Sequence, residues 1–138
     1  MFFVKNKKEN KDINLIKVAA LLIHVAKIDE NFSEIEEKII KKTLIEMGAE
    51  KDALLSILKD ANKIEENSNQ ILEFTKEVKS MNEINKIKIL ETLWKIIYSN
   101  NEADMYETTL MRRLEGLLYI DNKTMGNIKQ RIRNKYLK

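Results

Sequence analysis

Two eight-residue segments, 71 residues apart, hold the side chains of this chain best placed to do chemistry. Residues 29–36 read DENFSEIE and residues 100–107 read NNEADMYE. Laid over each other, Asp29 meets Asn100, Asn31 meets Glu102, Ser33 meets Asp104 and Glu36 meets Glu107. Each segment thus presents side-chain oxygens at its first, third, fifth and eighth positions. Oxygens gathered on a short turn can hold a hard divalent cation, Ca2+ or Mg2+, since both ions take oxygen ligands. The same oxygens can cap helices. In a capping box, Ser33 would accept the amide of Glu36 while Glu36 reaches back to the amide of Ser33. Asp104 with Glu107 would be the aspartate version. Capping is worth about 0.5–2 kcal/mol per helix and explains those four residues without a metal. It leaves Asp29, Asn31, Asn100 and Glu102, which precede the cap, to carry the cation reading. The spacing copies the first three ligand positions of an EF-hand loop but lacks its sixth-position glycine and twelfth-position glutamate. Any site here would be shallow, with few protein ligands and weak affinity. Both readings stand open on the sequence.

Other chemistries find little support. With no cysteine, thiolate metal sites, disulfides and thiol nucleophiles are excluded. His24 is the lone histidine and lies in an apolar run, so it reads as a histidine packed at or near the core. No Ser/His/Asp arrangement, glycine-rich phosphate loop or zinc pattern occurs, and the reading is non-catalytic. The net charge is only +3. From residue 122 onward there are six cations (Lys123, Lys129, Arg131, Arg133, Lys135, Lys138) and no carboxylate. A solvated helix face and a favourable helix dipole account for them, so no nucleic-acid partner is expected. Phe2 and Phe3 with Lys5, Lys7 and Lys8 form too short a segment to anchor at a membrane, and residues 1–11 read as a flexible basic tail.

The elements that must position the two segments are helices. The 138 residues include no proline and three glycines, enough chain for one domain with a real core but too few turn formers for a sheet protein. Hydrophobic periodicity predicts seven helices, at about 14–27, 33–47, 51–63, 69–79, 83–98, 104–118 and 122–136. Gly48 is the natural stop of the second, and residues 65–69 (EENSN) read as a polar break. The second helix is expected to bury Ile35, Ile39, Ile40, Leu44 and Met47, and the fourth Ile71, Leu72, Phe74 and Val78. The fifth, sixth and seventh helices repeat the first, second and third: Val18 meets Ile89, Leu22 meets Leu93, and Leu54 meets Met125. The expected fold is all-α, one domain over 12–138. Two pseudo-symmetric three-helix halves (14–63 and 83–136) are joined by the fourth helix, with the apolar first and fifth helices central.

The stretches AKIDENFSEIE and YSNNEADMYETTLMRRLEGLLY, over a match of roughly residues 12–135, resemble the TerB family, named for tellurite resistance. The likeness is greatest to its small, stand-alone bacterial branch. Family members carry an A-D-G-x-hydrophobic-S/D-x-x-E turn in one or both halves. The chain departs from that pattern at Glu30 and Asn101, where glycine is preferred, and at Asn100, where aspartate is preferred. The resemblance implies an all-helical fold and an acidic surface site that engages divalent cations. It also implies a part in a stress response, with no established enzymatic activity. Carried over residue by residue, the cation site would comprise Asp29, Asn31, Ser33, Glu36, Asn100, Glu102, Asp104 and Glu107. The expectation is a cytoplasmic, non-catalytic module with protein partners in a stress or envelope-associated complex. The alternative is a helical protein-interaction scaffold whose turns only cap helices. The N-terminus lacks a secretory h-region, and no apolar run approaches the roughly 20 residues of a membrane span.

Overall fold

A computed structural model describes residues 15–27, 33–67, 71–99 and 105–136, with the backbone alone at 105–108. The expected tail at 1–11 lies outside the described residues. Among the described residues seven α-helices follow in order: α1 (15–26), α2 (Glu34–Glu46), α3 (Leu54–Glu66), α4 (Leu72–Lys79), α5 (Glu83–Tyr98), α6 (Met105–Leu117) and α7 (Asn122–Tyr136). A 3-10 turn, Lys51–Ala53, leads into α3, and no strand occurs among the described residues.

The hydrophobic character of α1 and α5 decides the architecture. Val18, Ala19, Ala20, Leu21 and Leu22 in α1 are wholly buried, as are Ile89, Leu90 and Leu93 in α5. A helix apolar on most of its circumference has to be surrounded, and each fully buried Leu or Ile contributes about 1.5–3 kcal/mol relative to exposure. α5 packs along α7 and against α2 and α4, while α4 also meets α6. α1 is tied to α4 by Lys17–Glu77 at 3.4 Å and to α3 by Lys27, which donates to Asn62 Oδ1 at 3.0 Å.

The repeat is legible in the backbone. Shifting α2 (34–46) by 71 residues gives the bounds of α6 (105–117), and the same shift carries Lys51 onto Asn122, the first residue of α7. Both α2 and α6 end in the same C-terminal motif. Gly48 has φ 109°; its N–H donates to Ile45 O and that of Ala49 to Leu44 O. Seventy-one residues on, Tyr119 has φ 57°; its N–H donates to Gly116 O and that of Ile120 to Glu115 O. This is the Schellman arrangement, which places one left-handed residue after the helix. Glycine takes that conformation at no steric cost, whereas tyrosine does so at roughly 1–2 kcal/mol.

The burial pattern corrects two expected faces. In α2 the buried positions are Glu36, Ile40, Thr43 and Leu44, while Ile35 is 59% exposed and Ile39 and Met47 are half-buried. The face is rotated because α2 lies against α5, where Thr43 Oγ1 meets Thr92 Oγ1 at 2.7 Å, and because Glu36 folds back onto its own N-cap. In α4, Leu72 is 44% exposed and Thr75 takes its place in the interior, with its hydroxyl donating to Leu72 O. A buried threonine whose hydroxyl is satisfied by its own helix costs little, so polarity alone misjudges it.

Candidate functional site

The first acidic segment joins α1 to α2, and the second joins α5 to α6. Of the eight candidate oxygens, two have described side chains. Ser33 is the N-cap of α2, with extended backbone at φ −82° and ψ 164°. Its Oγ accepts the Glu36 N–H at 3.2 Å, and the Ser33 N–H donates to Glu36 Oε1 at 2.9 Å. Both reciprocal bonds of the capping box are therefore made. Glu36 is 1% exposed. The Glu36 carboxylate accepts the Ser33 amide while the Ser33 hydroxyl accepts that of Glu36, so the box satisfies two amides, and the carboxylate sits favourably at the positive end of the dipole. Glu34 and Glu37 add negative charge to the same first turn. Asp29, Asn31, Asn100, Glu102 and Asp104, and the side chain of Glu107, lie outside the described residues.

The C-terminal end of α1, which enters the first turn, carries a polar cluster. His24 Nδ1 lies 3.3 Å from Glu65 Oε1, and Lys27 Nζ lies 2.9 Å from Glu65 Oε2 and 4.0 Å from Glu66 Oε1. His24 is half-buried, which fits the expected edge-of-core position. Glu65 is its anchor, and sequence reading missed it. The polar composition of residues 65–69 suggested a break, whereas α3 runs on through Glu66. The signal that could have found it is Ile64, which continues the apolar spacing of Ile57 and Ala61 by one more turn. The cluster clamps α1 to α3 on the helix that leads into the first acidic segment. It binds charge within the protein, with both Glu65 oxygens engaged.

Among the described residues, no group of three or more His, Asp or Glu side chains is placed to hold a metal ion. No described helix is long and apolar enough to cross a membrane. Burial raises the pKa of the Tyr98 phenol above its ordinary 10.0, against a smaller lowering by Arg133. It stacks on Trp94 with ring centroids 5.7 Å apart and the planes 20° apart.

Residues 15–130 match the family model described as tellurite resistance protein TerB. The chain belongs to the TerB family. That match spans α1 to the middle of α7 and includes both acidic segments, so the helical repeat is the TerB domain itself. No curated protein and no solved structure matches the chain.

Proposed function

We propose that this TerB-family chain is a non-catalytic, cytoplasmic module of a stress response, and that its two acidic turns engage a divalent cation. The supporting observation is the helix register. α2 and α6 begin at equivalent positions, so Asp29/Asn100 and Asn31/Glu102 stand the same number of residues along the sequence ahead of the two helix starts. With Ser33 and Glu36 committed to the cap, the cation would be held by Asp29, Asn31, Asn100 and Glu102. Asp104 and Glu107 in the second half would take capping roles like those of Ser33 and Glu36. So few protein oxygens would leave most of the coordination to water, giving weak binding. Protein partners in a stress or envelope-associated complex are the natural targets of such a module.

The test is a calcium and magnesium titration followed by amide NMR, with Asp29→Ala combined with Glu102→Ala as the control. Saturable shifts confined to residues 29–36 and 100–107, and lost in the folded double variant, support the reading. Unmoved signals at millimolar metal defeat it. The capping box at Ser33 favours a second reading, a protein-interaction scaffold whose turns serve only to start helices. On that reading the double variant has no binding to lose.

A further inference from the structure

The two halves of the repeat differ beside Trp94. A cleft of about 210 Å3 opens between α5, α6 and α7. Its apolar wall is Trp94, Met111 and Met125, all buried, with the Trp94 indole N–H donating to Met125 Sδ at 3.4 Å. Its polar wall is Arg112 and Glu115 from α6 and Lys129 from α7, whose ammonium lies 5.4 Å from the Trp94 ring centroid. Gly126 lies at the edge, and a Cβ built there would meet nothing within 4 Å.

Moving back 71 residues shows what the repeat places at these positions in the other half. Glu115 corresponds to Leu44, which is wholly buried; Lys129 corresponds to Leu58, packed against the core; Gly126 corresponds to Leu55. Two packed leucines of the first half are thus a carboxylate and an ammonium in the second, while Leu55, 74% exposed, sits at an open position just as Gly126 does. Glu115 and Lys129 are half-buried, and among the described residues Arg112, Glu115 and Lys129 form no ion pair within 4.0 Å. Half-buried Glu115 has no close counter-ion and half-buried Lys129 has the face of Trp94 alone, an arrangement less favourable in a structural role than the leucines of the first half and suited to a charged ligand.

We propose that this cleft binds a small organic monoanion. Its carboxylate is shared by Arg112 and Lys129, and a flat apolar body lies against Met111, Met125 and the edge of Trp94. Two cations against one carboxylate leave a single net positive charge, so Glu115 disfavours dianions. A cleft of this volume is below the roughly 300–1,000 Å3 of drug-sized sites, which limits the ligand to about the size of one ring.

The full chain titrated with benzoate tests this, read by amide NMR and by the fluorescence of Trp94, the lone tryptophan. The expected result is saturable change confined to α5, α6 and α7, with a Kd on the order of millimolar. Lys129→Gln weakens it about tenfold, the fold-change for one lost charge-assisted contact. Lys129→Leu, which restores the residue of the first half, removes the cation and abolishes binding while the urea midpoint is kept. Unchanged spectra at benzoate well above millimolar would overturn the proposal. Equal binding by Lys129→Leu would do the same. Inorganic phosphate competing as well as benzoate would overturn the assignment of an organic monoanion.

Discussion

The hydroxyl pair between α2 and α5 joins the two halves through a polar contact inside the core, and its geometry predicts an unequal pair of mutants. Thr43 is 4% exposed and Thr92 2%, and their Oγ1 atoms are 2.7 Å apart. Thr92 Oγ1 also lies 2.8 Å from Lys88 O, an acceptor, so the one hydroxyl hydrogen of Thr92 is donated there. Thr43 must then be the donor to Thr92. Thr43→Val removes a donor and leaves Thr92 still donating to its own helix; the loss is that of an ordinary hydrogen bond, about 0.5–1.5 kcal/mol. Thr92→Val removes the acceptor and leaves the Thr43 hydroxyl buried and unsatisfied, at about 1–3 kcal/mol. The double valine variant keeps the shape and removes both polar groups, so it should lie within about 1 kcal/mol of the parent. Urea denaturation followed by far-UV circular dichroism measures all three, and the double-mutant cycle isolates the coupling. Additive losses, or a Thr43→Val loss larger than that of Thr92→Val, would refute the assigned donor direction.

Four further outcomes follow from single contacts. Ser33→Ala removes the N-cap acceptor of α2 and should cost about 0.5–2 kcal/mol, seen as a lower urea midpoint. Gly126→Ala, in a helix interior with open space around its Cβ, should stabilise by about 0.5–1 kcal/mol and raise Tm. Tyr119→Gly relieves about 1–2 kcal/mol of left-handed strain but gives up the Lys79 ammonium 4.1 Å from the ring, worth about 0.5–1 kcal/mol. The net should lie between neutral and about 1.5 kcal/mol of gain on those two figures, and a clear loss of urea stability would show that the ring contact outweighs the strain. Folded Tyr98 keeps its proton above pH 10.0, where the unfolded chain has lost it. Its contribution is therefore full below the ordinary phenol value and falls as pH rises through the folded one; Tyr98→Phe should flatten that alkaline decline in the urea midpoint.

The sequence by itself determined the helices, their order and their repeat, because each rests on local rules. Apolar spacing marks a helix wherever three or four consecutive turns agree, and α5 and α7 have the predicted ends. The capping box at Ser33 and Glu36 was readable for the same reason, since its partners are three residues apart. The family resemblance rested on the same repeated turns. What the sequence left open depends on contacts distant along the chain. Ile35 and Leu72 look like core residues until the direction of approach of the neighbouring helices is known, and Glu65 looks like a linker until it is found holding His24 and Lys27. Tyr119 gave no local hint of a left-handed backbone; the stop of α6 is set by the burial of Ile120 against the core and by the same motif that Gly48 forms without strain. The cleft beside Trp94 needed tertiary structure most of all. Its charged wall comes from two helices and its apolar wall from all three, and a lysine or glutamate at an amphipathic position reads as solvated until packing closes around it.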